Sequence, residues 1–197
     1  MKQKDLLATY RKKRDFKKTP EPFGKSVHRP SKRPIFVIQK HDASKLHYDF
    51  RIECDGVLKS WAVPKGPSTN PKDKRLAMPT EDHPMEYAKF EGVIPEGEYG
   101  AGPSIVWDSG TFRNLSERNG HEIPIDQALR QGRVKIWLDG KKLKGGYAFT
   151  LIRNKPAQWL MVKMSDSETN IRRDITKAEP RSVLSGKTVE QIGEKAA

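Results

Sequence analysis

Cysteine is almost missing from this chain. Cys54 stands alone, so no disulfide scaffold and no Cys-x-x-Cys metal or redox motif is open to it. The zinc nucleobase deaminases, whose metal needs such a pair, are thereby excluded. Long apolar runs are also missing, and none reaches the length of a bilayer span. Hydrophobic residues make up 35% of the 197, a low share for a globular domain but enough for one core. Met1 to Phe16 offers only Leu6-Leu7-Ala8 as an apolar stretch, which is no secretory signal. The expectation is a cytoplasmic protein of a reducing compartment, with no membrane partner. A nucleotide-binding Gly-x-Gly-x-x-Gly before a helix is absent too.

Positive charge is abundant, and it is unevenly placed. Residues 1–33 hold twelve Lys/Arg against Asp5, Asp15 and Glu21, so they carry +9 of the formal +13. Such an arm reads as a nucleic-acid contact, because neutralised phosphates release their counterions. A solubilising tail has the same composition.

Pro20, Pro22, Pro30 and Pro34 limit this arm to a short helix within Asp5 to Phe16. From Ile35 the pattern becomes short β-rich runs: Ile35–Ile38, His47–Glu53, Val57–Val63, Ser104–Trp107, Arg133–Leu138, Tyr147–Ile152 and Trp159–Lys163. Asp55-Gly56, Asp139-Gly140 and Asn154-Lys155-Pro156 read as hairpin connections. Pro124 to Gln131 reads as a helix, with Ile125, Ala128 and Leu129 on one face. The fold expected is mainly β, a barrel or sandwich with a short helix or two. Its divisions are a basic arm (1–33), a β-domain (34–165) and a C-terminal extension or linker (166–197).

Chemistry concentrates in His41 to Ile52. On a strand, residues two apart share a face, so His47, Asp49 and Arg51 line one side and Tyr48, Phe50 and Ile52 the other. Successive positions on a face are roughly 7 Å apart. His41, just before this strand, is placed to fold over it. Two imidazoles and a carboxylate suit manganese, iron or zinc, and the fork of Arg51 suits a phosphate. A solvated polar edge has the same alternation. Lys65, Arg75 and the run Glu81-Asp82-His83-Pro84-Met85-Glu86-Tyr87 form a second polar cluster. His28 and His121 sit in unpatterned polar contexts and read as surface residues, and Cys54 receives no chemistry.

Lys40-His41-Asp42-Ala43 with Leu46-His47-Tyr48-Asp49-Phe50-Arg51, then Ser60-Trp61-Ala62-Val63-Pro64-Lys65-Gly66-Pro67, Glu81-Asp82-His83-Pro84 and Gly92-Val93-Ile94-Pro95-Glu96-Gly97-Glu98-Tyr99-Gly100 resemble the 3′-phosphoesterase domain of bacterial DNA ligase D. Tyr10-Arg11-Lys12-Lys13-Arg14-Asp15-Phe16 and Thr19-Pro20-Glu21-Pro22 resemble that family's N-terminal segment, so the likeness covers about residues 10–185. It implies a closed antiparallel β-barrel that trims nucleic-acid 3′ ends in prokaryotic, nucleoid-associated DNA break repair. The implied steps are removal of a terminal ribonucleoside and then of the remaining 3′-phosphate, at DNA or RNA–DNA primer–template ends. The implied cofactor is a divalent metal, manganese first, with zinc or cobalt as substitutes. His41, His47 and Asp49 would hold it. Arg51, Lys65, Arg75 and Tyr87 would surround the phosphate, and His83 would contact it or move a proton. Arg14, Asp15, Glu21 and Glu81 match residues tied chiefly to the ribonucleoside step. Ligase and polymerase modules, in the same chain or operon, and an end-binding protein are the implied partners.

Two other classes stand beside this reading. A non-catalytic nucleic-acid-binding barrel accounts for the arm and the strands, but not for three of five histidines near Asp49, Arg51 and Lys65. A hydrolase of small phosphate esters has no need of an extended cationic arm.

Overall fold

The computed structural model describes residues 5–24 and 32–194. Its strands are β1 (Ile35–Asp42), β2 (Leu46–Cys54), β3 (Val57–Val63), β4 (Arg75–Pro79), β5 (His83–Pro84), β6 (Gly92–Ile94), β7 (Gly102–Asn114), β8 (Glu117–Arg118), β9 (His121–Glu122), β10 (Arg133–Gly140), β11 (Lys144–Asn154) and β12 (Ala157–Lys163). Four short helices accompany them: α1 (Ala8–Lys12), α2 (Ile125–Arg130), α3 (Ile175–Ala178) and α4 (Val189–Gly193). A 3₁₀ turn spans Met85–Lys89. No helix among the described residues is long and apolar enough to cross a membrane.

Eight strands run β1-β2-β3-β4-β12-β11-β10-β7, and β7 returns to pair with β1. The result is the expected closed antiparallel barrel, in which closure removes free sheet edges. The β2–β3 hairpin turns on Asp55 and Gly56, both at positive φ (54° and 75°), as a two-residue turn between twisted strands requires. The barrel interior is filled by alternate side chains, among them Phe36, Ile38, Phe50, Ile52, Trp61, Trp107, Phe149 and Met161.

A second apolar layer covers the outside of one wall. Tyr10 from α1, Val37 from β1, Leu58 from β3, Val106 from β7, Tyr87 from the 3₁₀ turn and Phe90 just after it pack together there. Residues 5–24 of the arm are thus built onto the barrel, and Tyr10 is fully buried. Several arm cations are already paired: Arg11 with Asp5, Lys13 with Glu81, Arg14 with Glu21 and Glu81. The segment after Asp166, expected as an extension or linker, packs back on the barrel. Ile175 enters the interior core, Trp107 Nε1 donates to the Glu179 carbonyl at 2.6 Å, and Val183 N–H donates to Val106.

The strand pattern differs from expectation in several places: β4, which joins β3 to β12 in the barrel, and the short β5, β6, β8 and β9 lie outside the expected runs, and two of the expected runs are longer. The apolar run at Ile35 continues as strand through Gln39, Lys40, His41 and Asp42, so His41 lies on β1 and pairs directly opposite His47. The Ser104–Trp107 run continues to Asn114, because Asp108 is buried and accepts backbone N–H groups of Ser109, Lys141, Lys142 and Leu143.

Candidate metal and phosphate site

The site is built on the outer faces of β1 and β2, beneath the second layer. Cross-strand register sets Gln39 opposite Asp49 and His41 opposite His47, so four polar side chains share one patch of sheet. Asp49 and Arg51, expected on a polar face, are buried there at 6% and 3% exposure. Burial makes their pairing obligatory.

His41, His47 and Asp49 offer ligand atoms within 4.8 Å of one another. Each imidazole has one nitrogen committed to a backbone carbonyl: His41 Nε2 to Gly100 at 2.8 Å and His47 Nδ1 to Lys45 at 2.8 Å. The opposite nitrogens, His41 Nδ1 and His47 Nε2, each stand 3.7 Å from an Asp49 oxygen. Metal-ligating histidines are oriented in this way, with the second N–H given to a carbonyl and the free lone pair aimed at the metal. The donor set fits a divalent transition metal. Burial opposes a charged His47, but the Asp49 carboxylate outweighs it and raises the imidazole pKa. Burial alone would raise the Asp49 pKa, yet the Arg51 guanidinium and the two imidazoles hold it well below the usual carboxylate range.

Arg51 is fixed on three sides. Its Nε donates to Gln39 Oε1 at 2.8 Å, its Nη2 to Asp49 Oδ2 at 3.1 Å, and its Nη1 lies 2.9 Å from His83 Nδ1. Gln39 is held in turn by the carbonyls of Tyr87 and Phe90. The Tyr87 ring lies 4.9 Å from the guanidinium carbon.

His83, expected to contact the phosphate or move a proton, lies between two arginines. Its Nε2 lies 3.3 Å from Arg14 Nη2, and its Nδ1 also meets the Glu81 carbonyl at 2.8 Å. Burial, then the charges of Arg51 and Arg14, push its pKa well below the ordinary imidazole value. Burial and the two flanking guanidiniums thus disfavour a third positive charge on His83.

The arm supplies the remaining wall. Arg14 donates to Glu21 Oε1 and Glu81 Oε1, both at 2.9 Å. Glu21 also accepts from Tyr87 Oη and Thr19 Oγ1, both at 2.8 Å. Burial and the Glu21 charge push the Tyr87 phenol well above its usual range. Burial works against a charged Glu81, but Lys13 and Arg14 prevail and lower its pKa.

One cleft of about 310 Å³ is lined by Arg14, His41, His47, Asp49, Arg51, Glu81, His83 and Tyr87. Eight of the expected site residues therefore meet. Glu21 stands one layer behind, holding Arg14 and Tyr87. Asp15 is exposed and accepts from Lys17 N–H in its own turn. Lys65 is exposed in the turn after β3. Arg75 pairs with Asp73 at 3.0 Å, away from the cleft lining. Register sets Met78 opposite Ala62, itself opposite Asp49. Arg75, three residues before Met78, has opposite parity and faces the barrel interior with its partner Met161. Cys54 is buried, and burial pushes its thiol up to about 12, which leaves it inert. His28 lies outside the described residues.

Sequence reasoning passed over Gln39, Lys13 and Tyr99, which reach the site or its rim. For Gln39 a signal existed: Val37, Gln39 and His41 alternate on one face of β1.

Comparison with known proteins agrees with this geometry. Residues 39–153 match the family model described as DNA Ligase D 3′-phosphoesterase domain. A multifunctional non-homologous end joining protein LigD of Pseudomonas aeruginosa is 48% identical over 188 residues, 93% of this chain and 22% of that protein. The similarly named protein of Mycolicibacterium smegmatis is 46% identical over 166 residues, 83% of this chain and 21% of that one. A multifunctional non-homologous end joining DNA repair protein LigD of Mycobacterium tuberculosis is 46% identical over 170 residues, with coverage of 83% and 20%. The chain spans about a fifth of the length of these curated relatives.

Proposed function

The chain belongs to the DNA ligase D 3′-phosphoesterase family, and on that premise we propose that it is a metal-dependent hydrolase that heals DNA 3′ ends during non-homologous end joining. It removes a 3′-terminal ribonucleoside as a phosphodiesterase, then the exposed 3′-phosphate as a phosphomonoesterase. The observation that carries this reading is one cleft joining the His41–His47–Asp49 donor set to Arg51. A barrel that only bound nucleic acid would have no use for two imidazoles and a carboxylate aimed at one point.

His41 Nδ1, His47 Nε2 and Asp49 hold the metal, with manganese the proposed ion. When bound, it supplies Lewis-acid polarisation of a phosphoryl oxygen and lowers the pKa of a water. Arg51 directs fixed positive charge at the phosphate, where charge gathers in the transition state, and its orientation by Gln39, Asp49 and His83 precedes substrate binding. His83 spaces the Arg14 and Arg51 guanidiniums, which disfavour its protonation. Tyr87 supports Arg51 through its ring. Arg14 and Glu81 form the wall facing the departing ribonucleoside, with Glu21 holding Arg14 from behind and Asp15 in the turn that presents Arg14. Lys65, exposed outside the cleft lining, is assigned to a phosphate beyond the scissile one; Arg75, turned from the cleft and paired with Asp73, is given no phosphate. The duplex end is the substrate. Modules that extend and seal such ends, in the same chain or operon, and an end-binding protein are the proposed partners.

The test is a labelled primer–template with a 3′-terminal ribonucleotide, incubated with and without manganese. Conversion through a 3′-phosphate to a 3′-hydroxyl supports the reading. An unchanged primer in manganese contradicts it.

A further inference from the structure

Four of the five tyrosines are buried; Tyr99 is 49% exposed. It sits in the loop between β6 and β7, next to the Gly100 carbonyl that orients His41, and lines the same cleft as His47, Asp49 and Arg51. The arm reaches over to hold it. Lys13 Nζ stands 3.1 Å from the Tyr99 hydroxyl and 4.4 Å from the ring centroid, and the Arg14 guanidinium lies 5.6 Å from that centroid. Lys13 is itself anchored by Glu81 at 2.9 Å. The ring is thus held by arm cations while about half of the side chain stays open at the cleft rim.

An open aromatic ring beside an anion-binding cleft suits a nucleobase, which stacks on aromatic faces with little sequence preference. Resting on the 3′-end hydrolysis proposed above, we propose that Tyr99 is the stacking platform for the base of the 3′-terminal ribonucleoside, and that Lys13 is the positioning residue that holds its ring. Phosphate removal presents no nucleoside beyond the scissile bond. Tyr99 therefore serves the phosphodiester step, and the packed arm acquires a physical reason to matter more for that step than for the next.

The experiment compares three primer–template ends: a 3′-ribonucleotide, a 3′-ribose lacking its base, and a 3′-phosphate. On the first, Tyr99→Ala lowers kcat/KM by about 5- to 150-fold, the worth of one base–aromatic stack, and Tyr99→Phe and Tyr99→Trp recover most of it. On the base-less end wild type falls toward Tyr99→Ala, and the substitution adds no further loss. On the 3′-phosphate end its effect is smaller than on the ribonucleotide end. Lys13→Ala gives a weaker loss with the same pattern. A terminal 2-aminopurine, bound in metal-free buffer, is quenched by wild type and released from quenching in Tyr99→Ala. Equal losses on ribonucleotide and phosphate ends, a loss that persists on the base-less end, or unchanged quenching overturns the stacking role. A wild type inert on all three ends overturns the hydrolase reading instead, while the quenching still decides the stack.

Discussion

Glu21 is the most consequential side chain outside the cleft, and its removal has a calculable effect. Its side chain is 1% exposed and takes hydrogen bonds from Arg14, Tyr87 and Thr19, while that of Arg14 is itself only 4% exposed. Glu21→Ala leaves a buried guanidinium with Glu81 as its one remaining carboxylate, and strips two hydroxyls of their acceptor. Breaking a buried ion pair from one side costs about 3–5 kcal/mol, and the orphaned hydroxyls add to it less than additively. The chain has a cheaper route than global unfolding: it can release residues 5–24, held chiefly by Tyr10 and Leu7. The expected result is an arm that opens locally. At ~1.4 kcal/mol per decade, hydrogen exchange in α1 speeds up by about two to four orders of magnitude, with β2 and β3 unchanged. Mass-resolved exchange of peptides over Ala8–Lys12 and Leu46–Val63 measures both. Equal acceleration in the two regions, or none in the arm, would refute this reasoning.

The lowered pKa of His83 makes stability pH-dependent with a definite sign. Below about pH 6.5 the unfolded chain takes up a proton that the native site refuses, so stability falls on acidification by up to ~1.4 kcal/mol per pH unit. Urea titrations of metal-free protein at pH 6.5 and 5.5 should show this loss, reduced in His83→Asn; the raised pKa of His47 acts above pH 6.5, outside this interval. Arg51→Lys keeps the charge but cannot span Gln39, Asp49 and His83 at once. Turnover on a 3′-phosphate end should drop at least about a hundredfold, as for a lost transition-state donor, and wild-type rates would show that charge alone suffices. Gly102 has φ +133°, and a Cβ there would lie 2.1 Å from the Asp42 carbonyl oxygen. Gly102→Ala should cost at least about 2–3 kcal/mol, read as a lower thermal midpoint together with weaker manganese binding, since the loop carries the Gly100 carbonyl that orients His41.

Much of the fold was legible because local signals agreed: Tyr48, Phe50 and Ile52 alternate with His47, Asp49 and Arg51, Asp55-Gly56 makes its hairpin, and α2 falls within Pro124–Gln131. The metal donors were legible as a set, but not as a cross-strand pair, because Gln39, Lys40 and His41 break the apolar run that marked β1. Burial of Asp49 and Arg51 was not legible at all. The layer that covers them comes from Tyr10, Tyr87, Phe90 and Val106, residues far apart in the chain whose convergence no local period reports. The same distance hid the lowered pKa of His83, which comes from burial and from two arginines of separate segments.

The central claim is that His41, His47 and Asp49 form one metal site that hands a phosphate to Arg51. Crystals grown with manganese and phosphate, measured at the manganese absorption edge, test it most directly. The account requires one dominant anomalous peak bound by His41 Nδ1, His47 Nε2 and the Asp49 carboxylate, with a phosphate oxygen on it and another on Arg51. A peak elsewhere, or phosphate density away from Arg51, would contradict it.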